Sequence, residues 1–423
     1  MAWHKAGPGG MALKFGGYPK VASLVDVAGF LAHAEASGLS FPCEKTIETG
    51  PLSPFAQPIE VCGRTMANRF CILPMEGWDG MADGRPSDHT RHRWANFGRS
   101  GAKLIWGGEA VAVRHDGRAN PRQLVLTDAT MGEIAALRDT LLAAHADPAA
   151  ENDGAPLVIG LQLTHSGRFC RPGPGHGLAP LILYRHPILD QKFGLPADHP
   201  VMADDEIERL IQDFVGAALR AQRCGFDFID LKHCHGYLGH EFLSAVHRPG
   251  KYGGSLENRT RFLREIVAGV RAEAPGLGIG VRLSAIDLVP FRPDPGLSTA
   301  SALGPGVPEP YATPYDDVFG AWPDLPTEPD MAPAIAFCTV LEQLGITLLN
   351  VTAGSPYYNP HVTRPALYPP SDGYRPPEEP LAGVLRLLQA TRVLKQRFPA
   401  MVVVGSGYTY TPFTSGSENP PVR

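Results

Sequence analysis

The 423-residue chain lacks the features that mark several common protein classes. Its seven cysteines form no Cys-x-x-Cys pair, so neither a disulfide framework nor a thiolate metal site is expected. No apolar run is long enough to span a bilayer, and the N-terminus has no signal-peptide hydrophobic region. The sequence therefore predicts a cytoplasmic protein.

A strong charge of one sign is also missing. The formal net charge is −5, which argues against nucleic acid or an anionic membrane surface as a partner. Hydrophobic residues make up 43% and charged residues 19%, which is typical of a globular protein. A small molecule is the expected partner, and the sequence leaves the oligomeric state open.

Glycine and proline, by contrast, are abundant, with 47 and 42 residues. They concentrate in residues 1–20, 290–334 and 356–380, which predicts a loose N-terminal segment and two long loops. The expected organisation is an N-terminal arm over 1–50 and one domain over 51–410, in which 290–334 is a loop insertion. Residues 411–423 are expected to form a disordered tail.

Short, nearly continuous apolar runs predict parallel strands that are covered on both faces. These runs are 69–74, 103–107, 157–163, 226–231, 279–283, 346–351 and 401–404. Helical patterns lie between them, at about 131–145, 205–223, from 255 onward, 331–344 and 381–397. This alternation predicts right-handed βαβ units, in an open doubly wound sheet or in a closed barrel.

The pattern Gly-x-Gly-x-x-Gly, expected after the first strand of a Rossmann sheet, is absent from residues 74–80. Polar residues instead follow many different strands: Glu109, Gln162, Lys232, Arg282, Asn350 and Gly405. This distribution favours a (β/α)8 TIM barrel, whose sites are built from several loops at one face. Since no strand pattern follows Thr409, the eighth strand is missing, and we expect a truncated or frame-shifted form of a longer enzyme.

The segment 230–238 is the densest chemical cluster. Lys232, His233, His235 and Tyr237 place an ammonium group, two imidazoles and a phenol at one strand end. This pattern is compatible with acid–base catalysis or with a His-x-His metal site. No complementary set of ligands follows the other strands, so no metal is expected.

Five motifs in order carry a family resemblance: Asn68-Arg-Phe…Pro74-Met75, residues 162–168, His235-Gly-Tyr-Leu238, residues 252–259 and 280–284. Together they resemble the old yellow enzyme family of FMN-dependent NADH:flavin oxidoreductases and ene-reductases, from about Leu52 to Tyr410. The resemblance implies FMN as cofactor, NAD(P)H as electron donor, and reduction of an activated C=C bond in a small unsaturated carbonyl-type substrate. The alternatives are another flavin-barrel reaction, such as amine demethylation, or an inactive flavin-binding fragment.

The resemblance also implies the residues that bind the flavin. They are Pro74, Met75 and Glu76 along the ring, Ala110 near its pyrimidine end, Gln162, Arg282, and Gly405, Ser406 and Gly407 at the phosphate. A side-chain amide supplies both a donor and an acceptor to the pyrimidine edge, and a guanidinium stabilises negative charge near N1. The alternative for Arg282 is an ion pair with Asp227 or Asp230. Glu76 departs from the Thr or Cys common at its position, and its alternative is a pair with Arg85 or Arg91.

The catalytic residues implied by the resemblance are Tyr237, His235 and Lys232. Tyr237 matches the tyrosine that gives a proton to the substrate carbon after hydride transfer, and a phenol remains protonated at neutral pH. His235 fills the second position of the family's carbonyl-binding pair, and Lys232 stands where the first histidine is common. Lys232 either polarises the carbonyl or pairs with Asp230 or Glu241.

Overall fold

The computed structural model describes residues 18–19, 21–44, 46, 48–148, 154–175, 177–366 and 373–408. The expected disordered tail, 411–423, lies outside these ranges, as does most of the segment 1–20. Within them, no helix combines the length and the apolar character needed to cross a membrane.

The strands are short, and most belong to one parallel sheet. In chain order they are β1 (Ile59–Val61), β2 (Arg64–Met66), β3 (Cys71–Ile72), β4 (Leu104–Ile105), β5 (Ala110–Ala112), β6 (Val158–Thr164), β7 (Phe228–His233), β8 (Gly278–Ile286), β9 (Phe291–Pro293), β10 (Gly306–Pro308), β11 (Ala321–Trp322), β12 (Leu325–Pro329), β13 (Leu348–Ala353) and β14 (Val402–Val404).

Helices separate the strands of this sheet. They are α1 (Val27–Ala36), α2 (Asp88–Arg99), α3 (Met131–Ala146), α4 (Leu189–Lys192), α5 (Asp204–Arg223), α6 (Leu238–Ser244), α7 (Leu256–Arg259), α8 (Arg261–Glu273), α9 (Ala332–Gln343), α10 (Pro360–Thr363) and α11 (Pro380–Arg397).

The sheet curves into a nearly closed barrel with the strand order β14-β13-β8-β7-β6-β4-β3, and β5 pairs with β6 beside it. All neighbouring pairs are parallel. Each strand of this order corresponds to one of the apolar runs, so the predicted strands are confirmed. Among the described residues no further strand joins β14 to β3.

The pairing of neighbouring strands places polar residues of β6, β7, β8 and β13 beside one another. Gln162 of β6 pairs with Asp230 of β7, Lys232 of β7 with Arg282 of β8, and Arg282 with Asn350 of β13. Because successive strand residues point to opposite faces, the residues between them face the helices, and these are buried and apolar. They include Leu161, Leu163, Ile229, Leu231, Val281, Leu283, Leu349 and Val351.

The opposite end of the barrel is closed by apolar side chains. Val61 and Met66 of the β1–β2 hairpin pack with Trp106, Phe228 and Leu348 in one buried cluster. Since this cluster fills the N-terminal ends of the strands, the polar residues are confined to the C-terminal ends. This is the face at which TIM barrels carry their active sites.

The predicted helical patterns correspond to α3, α5, α7 with α8, α9 and α11, whereas α1, α2, α4, α6 and α10 were not predicted. The helix α5 begins at Asp204, one residue before the expected start, and Ala203 occupies the cap position. The helix α2 was not predicted, since it is largely polar, although Ser87 caps it through a bond from the Thr90 amide. The 290–334 insertion is not a plain loop, because it contains two antiparallel pairs, β9–β10 and β11–β12.

Candidate active site

The chain leaves β7 through a tight turn that fixes the histidine and the tyrosine of the 230–238 segment. His235 and Gly236 both have positive φ, at 65° and 76°. The strained His235 backbone is held from two sides, since its amide donates to Ser284 Oγ at 3.0 Å and its carbonyl accepts from Ser355 Oγ at 2.8 Å. The turn places Tyr237 at the N-cap of α6, buried with 3% exposure.

Glu76 and Lys232 form a buried ion pair beside this tyrosine. Lys232 Nζ lies 2.5 Å from Glu76 Oε1, and the side chains are 5% and 8% exposed respectively. The same carboxylate accepts a hydrogen bond from the Tyr237 hydroxyl at 2.6 Å. Lys232 Nζ also lies 3.8 Å from the centre of the Tyr237 ring, which is a cation–π contact.

The pairs expected for these two residues from the sequence are wrong. Glu76 does not pair with Arg85 or Arg91, because these contact Asp83 and Glu133. Lys232 pairs neither with Asp230 nor with Glu241, since the latter is bound by Arg168. The two positions at which the chain departs from the family pattern therefore contact each other.

Tyr357 completes this group from the loop after β13. Its hydroxyl lies 2.6 Å from that of Tyr237. Because the single proton of Tyr237 is donated to Glu76, Tyr357 is the donor in this second bond. The Tyr357 ring stacks on Phe169 at 4.2 Å, with the Arg171 guanidinium 5.8 Å from it. The sequence gave no sign of this bond, because the two tyrosines lie 120 residues apart.

Burial and charge determine the protonation states of the two acid–base residues. Burial raises the pKa of Tyr237 well above its ordinary value of 10.0, and the neighbouring Glu76 carboxylate raises it further. Burial lowers the pKa of His235 well below 6.5, and the cations of Arg282 and Lys232 lower it further. Tyr237 is therefore a protonated donor at neutral pH, and His235 is a neutral imidazole.

Arg282 and Gln162 lie at the same mouth of the barrel. Arg282 donates from one terminal nitrogen to the Pro74 carbonyl at 3.0 Å, and its Nε has no partner among the described residues. Gln162 donates its amide to Asp230 at 2.5 Å. The ion pair of Arg282 with Asp227 or Asp230 is not formed, because Asp227 is bound by Arg64 and Asp230 by Gln162.

The loop that carries Pro74, Met75 and Glu76 is held in place by hydrogen bonds to Glu109 and Ala110. Glu109 accepts from the Gly77 amide at 2.8 Å and from Arg93 at 2.6 Å. The Ala110 amide donates to the Met75 carbonyl at 3.2 Å, so Ala110 adjoins this loop. The Met75 side chain is 63% exposed and faces away from the apolar core. The Arg93 contact was missed, since it comes from the unpredicted helix α2.

Gly405, Ser406 and Gly407 directly follow β14, at the same end of the barrel as Lys232 and Arg282. Gly407 has a φ of 92°, a conformation that glycine adopts readily. Ser406 Oγ donates to the Val351 carbonyl at 2.8 Å, which fixes the turn against β13. The backbone of this turn therefore lies where barrels commonly bind phosphate.

The two imidazoles of the His-x-His pair are engaged separately. His233 Nδ1 contacts the Leu231 carbonyl at 3.0 Å, and its ring packs against Phe337 of α9. His235 Nε2 lies 3.4 Å from Thr352 Oγ1. In the described part of the chain, no three His, Cys, Asp or Glu side chains come together as metal ligands.

Comparison with known proteins places this barrel in a family. Residues 54–294, more than half of the chain, match the NADH:flavin oxidoreductase / NADH oxidase family. The chain belongs to this family. It is 33% identical over 253 residues to the NADPH dehydrogenase of Bacillus subtilis, and the match covers 58% of this chain and 67% of that protein. An NADH:flavin oxidoreductase of Gibberella zeae is 33% identical over 246 residues, 54% of this chain and 56% of the relative.

The solved structures confirm the fold class. The old yellow enzyme homologue from Zymomonas mobilis is similar with a TM-score of 0.53 and 21% identity, over 84% of this chain and 83% of that one. An old yellow enzyme from Pichia has a TM-score of 0.51 and 20% identity, over 71% of each chain. The predicted TIM barrel and family resemblance are thus both confirmed, and FMN is the cofactor of this family.

The barrel mouth fits a flavin chemically. Arg282 Nε and both polar atoms of the Asn350 side chain are buried without a protein partner in the described residues. Buried polar groups are normally hydrogen-bonded, so these atoms need a ligand with polar edges. The isoalloxazine pyrimidine offers such donors and acceptors. Asn350 was noted in the sequence only as one of several polar residues after strands, and its unpaired state could not be predicted.

Proposed function

We propose that the chain is an FMN-dependent oxidoreductase that uses NAD(P)H to reduce an activated C=C bond of a small unsaturated carbonyl compound. The observation that carries the proposal is Tyr237, a protonated phenol buried against Glu76 and Lys232 at the C-terminal face of the barrel. FMN, held by the barrel mouth, would supply the two-electron chemistry that links NAD(P)H to the substrate.

The protein groups divide into cofactor binding and substrate chemistry. We assign Arg282, Gln162 and the loop of Pro74 and Met75 to the flavin ring, with Ala110 at its pyrimidine end. Arg282 would offset negative charge on the reduced cofactor. Gly405, Ser406 and Gly407 are assigned to the phosphate, which backbone N–H groups can bind. Glu76 follows this loop, but its carboxylate is directed to Lys232 and Tyr237.

The substrate carbonyl is assigned to His235 rather than to Lys232. The ammonium of Lys232 is bound by Glu76 at 2.5 Å, which offsets its charge. The neutral His235 imidazole can donate one N–H to an oxygen, and a donor aimed at a developing negative charge stabilises it. Tyr237 then delivers its proton to the substrate carbon.

The test is a separation of the two half-reactions in purified protein. Anaerobic NAD(P)H should bleach the flavin absorbance, and an unsaturated carbonyl compound such as 2-cyclohexenone should restore it. A protein that cannot be loaded with FMN, or whose reduced flavin is not reoxidised by any activated alkene, would overturn the proposal.

A further inference from the structure

The mouth of the barrel contains a charge arrangement that the proposed reaction does not by itself require. Around the Tyr237 hydroxyl lie the Glu76 carboxylate, the Lys232 ammonium and the Tyr357 hydroxyl, at the distances given above. His235 and Arg282 are the further titratable and charged groups of the same mouth. These groups come from four separate parts of the chain, so the arrangement depends on the closed fold.

The resting arrangement opposes the ionisation of Tyr237. Its proton points to a carboxylate at 2.6 Å, and loss of that proton would leave two negative oxygens in contact. At such a distance in a buried site, like charges interact strongly. A tyrosine in this setting needs a nearby cation if it is to give its proton to a substrate.

Lys232 is that cation. It contacts the Glu76 carboxylate and lies over the Tyr237 ring at the same time. We infer that Glu76 and Lys232 are positioning residues for proton delivery by Tyr237: Glu76 orients the phenol, and Lys232 stabilises the phenolate that remains. The inference rests on the proposed function.

The reduction of the alkene balances with hydride, the proton of Tyr237 and a proton from water. Hydride, which carries the electron pair, adds to one alkene carbon, and the proton of Tyr237 adds to the other. The phenolic O–H bond breaks and a C–H bond forms. The phenolate then regains a proton from water, through the Tyr357 hydroxyl that already donates to it at 2.6 Å.

The first experiment follows the ionisation of Tyr237 without turnover. The tyrosinate absorbance of the FMN-loaded protein is titrated with pH. The titration is repeated in a variant that also carries Tyr237→Phe, and the difference between the two curves is the signal of Tyr237. In Glu76→Gln, ionisation should occur at lower pH than in the unaltered protein, by about one pH unit or more. Adding Lys232→Met to Glu76→Gln should move it back to higher pH.

The second experiment follows the proton step itself. Reoxidation of the reduced enzyme by alkene should decline at alkaline pH in Glu76→Gln, where Tyr237 becomes deprotonated, and this decline should move to higher pH in the double variant. A merely structural role of the pair would lower the rate at all pH values instead. Flavin reduction by NAD(P)H should keep its pH profile.

A control is available beside α11. Glu378, two residues before this helix, forms a partly buried pair with Arg386 at 2.7 Å and does not contact Tyr237. Glu378→Gln removes the same charge and should leave the Tyr237 titration unchanged. If Glu76→Gln does not fold, Lys232→Met provides the test, and in it Tyr237 should ionise at higher pH than in the unaltered protein; an unchanged titration would overturn the inference.

The outcomes separate the two proposals. An unchanged Tyr237 titration in Glu76→Gln, or identical titrations in Glu76→Gln and the double variant, would overturn the inference even if alkenes are reduced. An equal shift in Glu378→Gln would also overturn it. Shifts in the expected directions without alkene reduction would refute the proposed function and leave the electrostatic coupling in place.

Discussion

The Lys232 ammonium lies 2.5 Å from the Glu76 carboxylate, and this contact joins the end of β7 to the loop after β3. At both positions, the family resemblance predicts a different residue type. A carboxylate alone would repel a reduced flavin, and a lysine alone would place an uncompensated cation in the mouth. Together they are neutral, which explains how the site can hold both.

The first prediction concerns the stability of this pair. Lys232→Met should lower the free energy of unfolding by about 3–5 kcal/mol, because Glu76 then remains as an unpaired buried charge. Glu76→Gln should have an effect in the same direction. The double variant should lose less than the sum of the two, and urea denaturation measures all three. Strictly additive losses would show that the two charges do not interact.

The second prediction concerns Tyr237. Tyr237→Phe should slow reoxidation of the reduced enzyme by alkene by roughly 10²- to 10⁴-fold, because the general acid is lost. Its rate of flavin reduction by NAD(P)H should change little. Tyr252→Phe removes a hydroxyl bonded to Glu265 at 2.7 Å on the helical layer, and it should leave both rates unchanged. Equal loss of the two half-reactions in Tyr237→Phe would contradict the assigned role.

The third prediction concerns FMN affinity. Arg282→Met should weaken FMN binding by roughly 10- to 100-fold, because a hydrogen bond to a charged group contributes about 1.5–3 kcal/mol. Fluorescence titration of the apoprotein with FMN measures the dissociation constant. The exposed Arg271, which lies by the N-terminal ends of β8 and β13, provides the control Arg271→Met. An unchanged affinity in Arg282→Met would place the flavin elsewhere.

The fourth prediction concerns the pH dependence of stability. Burial raises the pKa of Asp287 to about 6, although bonds from Asn359 and Tyr358 oppose the change. Its unfolded pKa is near 3.9, so between about pH 4 and pH 6 the folded state binds more protons than the unfolded state. The contribution of Asp287 to stability is thus largest at low pH and is lost as the pH rises through 6.

Asp287→Asn checks this sign. The variant should show a weaker fall of unfolding free energy between pH 4 and 6 than the unaltered protein. Chemical denaturation at several pH values provides the measurement. A steeper fall in the variant would mean that Asp287 is not the group that takes up the proton.

The barrel could be predicted from sequence because its strands are short apolar runs that are buried on both faces. Runs such as 157–163 and 346–351 have the length and apolar character of parallel strands that are covered on both faces. The helix α5 was equally clear, because its apolar stripe of Ile207, Leu210 and Phe214 is continuous. The helix α2 could not be seen, since Arg and His residues cover most of its surface and its buried contact depends largely on Trp94.

The sequence could predict which residues lie at one face of the barrel, but it could not predict their contacts. The ends of parallel strands meet at one face, which brings Gln162, Lys232 and Arg282 together. Which side chains pair depends on distances across the barrel, and these distances cannot be read from the sequence. Hence Lys232 was assigned to neighbours in sequence or on α6, whereas its partner Glu76 lies 156 residues away. The phosphate role of Gly405, Ser406 and Gly407 remains a prediction.

The most direct test of the central proposal is an anaerobic absorbance experiment on the purified, FMN-loaded protein. One equivalent of NAD(P)H is added first, and 2-cyclohexenone follows. We expect the flavin absorbance to bleach on the first addition and to return on the second, with cyclohexanone formed in equal amount. Absorbance that bleaches but does not return, with no saturated product, would contradict the proposed alkene reduction.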